Sequence, residues 1–254
     1  MGYMINSKNG LKPMTYILGA HCLDGVVLVA DRKVTLDSGA DQTFEDKLFY
    51  VANSIVVGSS GVSGLFEKFR ERLGMQINLP NWEKTILNLT SHIETITREL
   101  NEQYREVLHG EAFDVLLGVK TTGGAVLEYV YPIGFAEGVR KYKAIGHGEP
   151  YGSFFLKKWW KPTMTMKDAI ELGFFIIKYI QEFQLDNTVG VGDGYPQAWV
   201  MPNNPPPDIS KEQIQSFLPH PMSDQQLKPI ADKVSSRIAQ IKQMSWEEQP
   251  PKLI

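Results

Sequence analysis

A threonine, an aspartate and a lysine are equally spaced near the start of this chain: Thr15, Asp31 and Lys47. Thr15 opens the run Thr15-Tyr16-Ile17-Leu18-Gly19, Asp31 closes Gly25-Val26-Val27-Leu28-Val29-Ala30, and Lys47 leads into Leu48-Phe49-Tyr50-Val51. A hydroxyl thus opens one strand, an acid closes the next and an amine begins a third. An aliphatic hydroxyl attacks a carbonyl only when a base takes its proton and donors receive the oxyanion. If Thr15 stands at a chain terminus, its own α-amine, titrating near about 7.7–8.0, is that base. Lys47 would place a positive charge beside Oγ, and Asp31 would hold that lysine oriented and charged. Gly61 follows a strand and begins a helix, so its N–H would face the oxyanion with the helix dipole behind it. Each residue alone has an ordinary reading: strand opener, turn acid, gatekeeper, steric glycine. Together they are a set that acyl transfer could use.

The elements around these residues are legible in part. Thr15–His21 and Gly25–Asp31 are β-rich runs about the turn Leu23-Asp24-Gly25, a hairpin signal. Lys47–Ala52 and Ser54–Ser60 repeat the pattern around Asn53. A helix opens at Gly61-Val62-Ser63-Gly64, with Val62, Phe66, Phe69 and Leu73 on one face. From Trp82 to Tyr104, Ile86, Leu89, Ile93, Ile96 and Leu100 recur at helical steps. Strands resume at Phe113–Lys120 and Ala125–Pro132. Thr165-Met166-Lys167-Asp168 is a capping box, and the helix it opens, to about Leu185, is apolar on nearly every face and must be covered on more than one side. Gln197–Met201 is a further strand.

Strands, helices, strands, helices in this order describe an α+β chain folded as a four-layer αββα sandwich. Residues 1–14 read as a leader, 15–201 as the main domain, and 202–254 as a Pro205-Pro206-Pro207 spacer with a helical extension over Asp224–Met244.

Composition narrows the function classes. A net charge of −3, a pI near 6.0 and no basic cluster give no reason to expect nucleic acid. No apolar stretch reaches the roughly 20 residues of a membrane helix, and the first fourteen residues lack a signal-peptide core. A single cysteine, Cys22, excludes an internal disulfide framework and points to a reducing, cytoplasmic setting, with Cys22 itself a small core residue. Five scattered histidines make no metal site, no phosphate-binding glycine loop is present, and no cofactor is expected. The Asn88-Leu89-Thr90 sequon lies within a helix and is set aside.

The Thr15 to Lys47 segment, with Asp24-Gly25-Val26-Val27-Leu28-Val29-Ala30-Asp31 at its centre, resembles the N-terminal half of a proteasome β-type subunit, a threonine peptidase of the N-terminal-nucleophile hydrolase class. The resemblance extends to about Met201 and is strongest before Gly64. It implies the αββα fold of that class, Thr15 as nucleophile, Asp31 and Lys47 as the activating pair and Gly61 as oxyanion donor. Ala144-Ile145-Gly146-His147-Gly148 resembles the family's glycine-rich turn, with His147 where a serine usually stands. That histidine would either share the proton transfer or simply fill the turn. Leu185-Asp186-Asn187-Thr188-Val189-Gly190 resembles the loop whose aspartate and serine support the site. Asp186 fits the aspartate, while Val189 replaces the serine unless Thr188 takes its place. The resemblance also assigns Val34, Glu45, Ser59 and Ser63 to the pocket for the residue before the scissile bond.

One departure bears on activity. The family usually carries glycine before the threonine, and here it is Met14. Either the chain is not cleaved at that bond, or translation begins at Met14 and initiator excision frees Thr15. Three functions follow: a peptidase acting on polypeptides inside a ring of like or related subunits, with an unfoldase or regulatory cap as a further partner; a non-catalytic subunit of such a ring; or a small-molecule amidase of the same fold. The apolar helix 166–185 and the tail helix are expected at subunit contacts.

Overall fold

The expected hairpin forms the middle of the first sheet. Strand β1 (Ile17–Cys22) pairs antiparallel with β2 (Gly25–Ala30), in register from Ile17 opposite Ala30 to Cys22 opposite Gly25. In this computed structural model the described residues are 15–35, 42–51, 55–61, 63–77, 86–108, 112–192, 194–205 and 215–247. The leader 1–14, the turn at Asn53, Val62, Trp82, the Ser63 side chain and Pro206-Pro207 lie outside what is described.

Further along come β3 (Lys33–Thr35), β4 (Gln42–Phe44), β5 (Leu48–Val51) and β6 (Ile55–Ser60), then α1 (Ser63–Ile77), α2 (Ile86–Gln103) and the single turn α3 (Arg105–Leu108). Four strands follow, β7 (Asp114–Thr121), β8 (Gly124–Tyr131), β9 (Phe135–Gly138) and β10 (Tyr142–Ile145). The chain then enters α4 (Glu149–Trp159), α5 (Met166–Glu182), β11 (Gln197–Pro202), β12 (His220–Pro221) and α6 (Asp224–Glu247). Among the described residues one sheet runs β10-β1-β2-β11-β12 and the other β5-β6-β7-β8-β9, both antiparallel, while β3 and β4 form a separate hairpin.

Alternation of side chains along the strands builds three cores. Tyr16, Leu18, Val27 and Val29 face α4 and α5, whereas Ile17, Val26, Leu28 and Ala30 face Val56, Leu116 and Leu127 of the second sheet. Val57, Val115 and Leu117 on the far side of that sheet meet Phe69, Leu89, Ile93 and Leu100 of α1 and α2. The order is helices, sheet, sheet, helices: the αββα sandwich that the sequence implies. Both faces of β2 are buried, which explains its unbroken apolar run.

Two expectations change. The apolar helix α5 starts at its capping box, Thr165 Oγ1 accepting from the Asp168 N–H at 3.2 Å. Its all-round apolarity is nevertheless covered within this chain, by the first sheet, by Phe155 of α4 and by Leu227, Ile230, Val234 and Ile238 of α6. The tail helix therefore docks on its own domain, so the apolar surface of these two helices does not by itself call for a neighbouring subunit. The second helical layer also contains α4, which the sequence reading passed over.

Candidate active site

Asp31 ends β2 at the rim of the inter-sheet core, wholly buried, and four donors converge on its carboxylate. Oδ1 accepts from the Tyr16 N–H at 2.8 Å, the Lys47 ammonium at 2.7 Å and the Thr15 hydroxyl at 3.2 Å. Oδ2 accepts from the Gly190 N–H at 3.1 Å. The three residues that the sequence spaces evenly are thus one contact cluster. Thr15 and Lys47 are themselves buried, Lys47 at 7% exposure. Burial pushes the Asp31 carboxyl above its usual range and the Lys47 ammonium below it, against the pull of their ion pair.

The turn before α4 grips Thr15 from the other side. Gly148 N–H donates to the Thr15 carbonyl at 3.3 Å. Gly146 has φ +92°, and a Cβ there would lie 2.3 Å from that same carbonyl oxygen, so glycine is needed both for the backbone and for the space. His147 extends from this turn to Asp186, Nδ1 to Oδ2, at 2.5 Å. Asp186 also accepts from the Thr188 hydroxyl at 2.6 Å and the Thr188 N–H at 2.8 Å. Burial pushes the Asp186 carboxyl up, but Thr188 and His147 together hold it below its usual range. The Thr188 hydroxyl is therefore committed to Asp186, and Val189 is a buried core residue. The negative charge of Asp186 reaches Lys47 and supports its protonated form.

A cavity of about 40 Å³ opens beside the cluster, lined by Thr15, Lys47 and Gly61 together with Val34, Glu45, Asp46, Ser59 and Phe66. Gly61 sits there at φ +139°, two residues before α1. Three of the four expected pocket residues, Val34, Glu45 and Ser59, thus share a wall with Thr15. Ser59 Oγ is buried with no hydrogen-bond partner among the described residues, and Glu45 is exposed.

Sequence reasoning missed Gln197. Its side-chain amide, on β11 of the first sheet, bonds the main chain of Lys47 and Leu48 at the start of β5 in the second. A glutamine at a strand start has no local signature; only its contacts, 150 and 149 residues away in sequence, give it meaning.

A roomier cavity of about 600 Å³ lies between α5, α6 and residues 159–164. Its wall includes Glu171, which is paired with Lys233 at 2.6 Å and with Arg237. The buried acid and lysine beside a hydroxyl make the smaller cavity at Thr15 the candidate site. Burial pushes the Cys22 thiol up to about 12, in keeping with a core residue. Among the described residues no His, Cys, Asp and Glu group could hold a metal, and no helix is long and apolar enough to cross a membrane.

Comparison with known proteins gives the geometry its context. The chain is 25% identical over 231 residues to a proteasome subunit alpha of Methanosphaerula palustris, covering 84% of this chain and 86% of that one. It is 28% identical over 189 residues to a proteasome subunit beta 1 of Pyrobaculum arsenaticum, covering 71% and 87%. Among solved structures, Anbu (ancestral beta-subunit) from Yersinia bercovieri superposes with a TM-score of 0.70 at 15% identity, over 94% of this chain and all of that one. The family described as "Proteasome subunit" matches residues 14–190, from the residue before Thr15 to the glycine that donates to Asp31. The matched span contains every member of the cluster around Asp31, and the chain belongs to the proteasome subunit family.

Proposed function

We propose that this chain is a threonine-type endopeptidase that cleaves polypeptides inside a ring-shaped, cytoplasmic assembly of like or related subunits. The observation that carries the reading is the buried Thr15–Asp31–Lys47 cluster opening onto a cavity shared with Gly61. With its amine free, Thr15 would lose the Oγ proton to that amine as Oγ bonds to the scissile carbonyl carbon. Lys47 would stabilise the developing alkoxide, Asp31 would keep Lys47 in reach, and the Gly61 N–H would receive the oxyanion. The proton then passes to the leaving amine as the peptide C–N bond breaks. Water hydrolyses the resulting ester and regenerates Thr15. Asp186 and His147 would hold the Gly146–Gly148 turn against Thr15.

A second reading, a non-catalytic ring subunit, is favoured by one specific feature: Met14 precedes Thr15, and a peptide bond there removes the base. The two are separated by expressing the chain from Met1 and from Met14, recording intact mass and assaying peptide hydrolysis. Protein begun at Met14 is expected to carry Thr15 at its terminus, since initiator excision proceeds before a small residue, and to hydrolyse peptides. Protein begun at Met1 should be silent or much slower. No hydrolysis by protein with Thr15 confirmed at the terminus would establish the scaffold reading instead. Hydrolysis of small amides but not of peptides would move the assignment to an amidase.

A further inference from the structure

Gln197 opens β11 directly across the ladder from Ala30, the residue before Asp31. Residues opposed in an antiparallel pair share a face, and Ala30 faces the second sheet. The Gln197 side chain, 6% exposed, crosses between the sheets. Its Oε1 accepts from the Lys47 N–H at 2.9 Å and the Leu48 N–H at 2.8 Å, and its Nε2 donates to the Leu48 carbonyl at 2.6 Å. Strand β5 is an edge of its sheet, with β6 on one side only. The amide therefore serves that edge as the peptide of a further strand would.

This is a costly way to fill the space. Met201, two registers along the same strand face, packs there with apolar atoms, and a buried amide that misses its partners costs about 1–3 kcal/mol. What the amide adds is position. It ties the main chain of Lys47, on one sheet, to the strand that flanks Asp31, on the other. The Lys47 ammonium reaches Asp31 from a backbone whose height above the first sheet is set by those three bonds.

We propose that Gln197 is a positioning residue for Lys47: its amide fixes the lysine main chain across the sheet interface and so sets the contact of Nζ with Asp31, the carboxylate that Thr15 also meets. Its catalytic consequence rests on the peptidase reading above. The test uses Gln197→Met, which keeps length while removing the bonds, and Gln197→Glu, both with Thr15 confirmed at the terminus. A protonated glutamic acid repeats the pattern, its carbonyl accepting two N–H groups and its O–H donating to Leu48. The carboxylate loses that donor and faces the Leu48 oxygen.

Gln197→Met is expected to lower kcat by about 30-fold with KM within about twofold. Gln197→Glu, assayed well below its Tm and compared with wild type at each pH, should approach wild type at low pH and fall toward the methionine variant as its carboxyl ionises, with Tm falling over the same range. Wild-type kcat in Gln197→Met, or a pH profile of Gln197→Glu that runs parallel to that of wild type, would overturn the proposal. If Gln197→Met does not fold, the pH profile of Gln197→Glu decides. If wild-type protein shows no Thr15-dependent hydrolysis, the peptidase reading fails by itself, and crystal structures of the variants judge the clamp. A Lys47–Asp31 contact unchanged from 2.7 Å overturns it, and an opened contact upholds it.

Discussion

Asp31 accepts four hydrogen bonds at zero exposure, and one of its partners is a cation. Lys47→Met removes that cation and leaves the carboxyl where burial already pushes its pKa up. A group raised in the folded state contributes stability that is full below its unfolded value, about 3.9, and is lost as pH rises through the folded value. The variant should therefore melt close to wild type near about pH 4 and lose about 3–5 kcal/mol by neutral pH, the cost of a buried charge without its partner. Hydrolysis should fall by about 100-fold or more throughout. Melts and assays across that range check both, and a deficit independent of pH would place the cost in packing. Glu45 and Ser59 share the cavity with Thr15, so peptides with Arg or Lys before the scissile bond should be cleaved faster than those with Leu. Glu45→Gln should remove the preference, by about tenfold, in a fluorogenic peptide panel. Thr15, Asp31 and Lys47 were legible because their positions at strand ends are written locally. Gln197 was not, because a neutral amide acquires its role only when two sheets meet.

Among the elements, α6 was read correctly as a helix, but the surface it packs on was not. Leu227, Ile230, Val234 and Ile238 face α5, while Lys233 and Arg237 pair with Glu171 and Lys242 with Glu182. Ile238→Ala should cost about 2–5 kcal/mol in a denaturant melt, because the cavity it leaves is enclosed. Lys233→Ala, whose side chain is 54% exposed, should cost less than about 1 kcal/mol. Helices α2, α5 and α6 announce themselves by long apolar periods or caps. Helix α4 does not: it begins at Glu149-Pro150 directly after a glycine-rich turn, and Gly152 interrupts its pattern where the helix closes on Tyr16. Strands β9 and β10 were missed for a related reason. They are four residues each, and β9 buries no residue fully, so no alternation of burial marks it.

On the scale of the whole molecule, α6 and the first sheet occupy the apolar surface of α5, so the proposed ring would be held by other surfaces. The outer side of α4 exposes Tyr151 and Phe154, Phe154 by 63%. Native mass spectrometry at micromolar concentration should show a multi-subunit ring, and Phe154→Asp should shift it toward smaller species. A monomer alone in the unsubstituted chain would contradict assembly. The strand order carries another consequence, for synthesis. Thr15, Asp31 and Lys47 all leave the ribosome early, but the Gly190 N–H that holds Asp31 and the Gln197 amide that holds Lys47 belong to the last part of the sandwich. A nascent chain that ends before Gly190 has Thr15, Asp31 and Lys47 and lacks the two groups that bond Asp31 and the Lys47 main chain from the far end of the sandwich. On the peptidase reading, a chain built in this order would stay inert toward its own unfinished copies and toward other emerging chains until its sheet is closed.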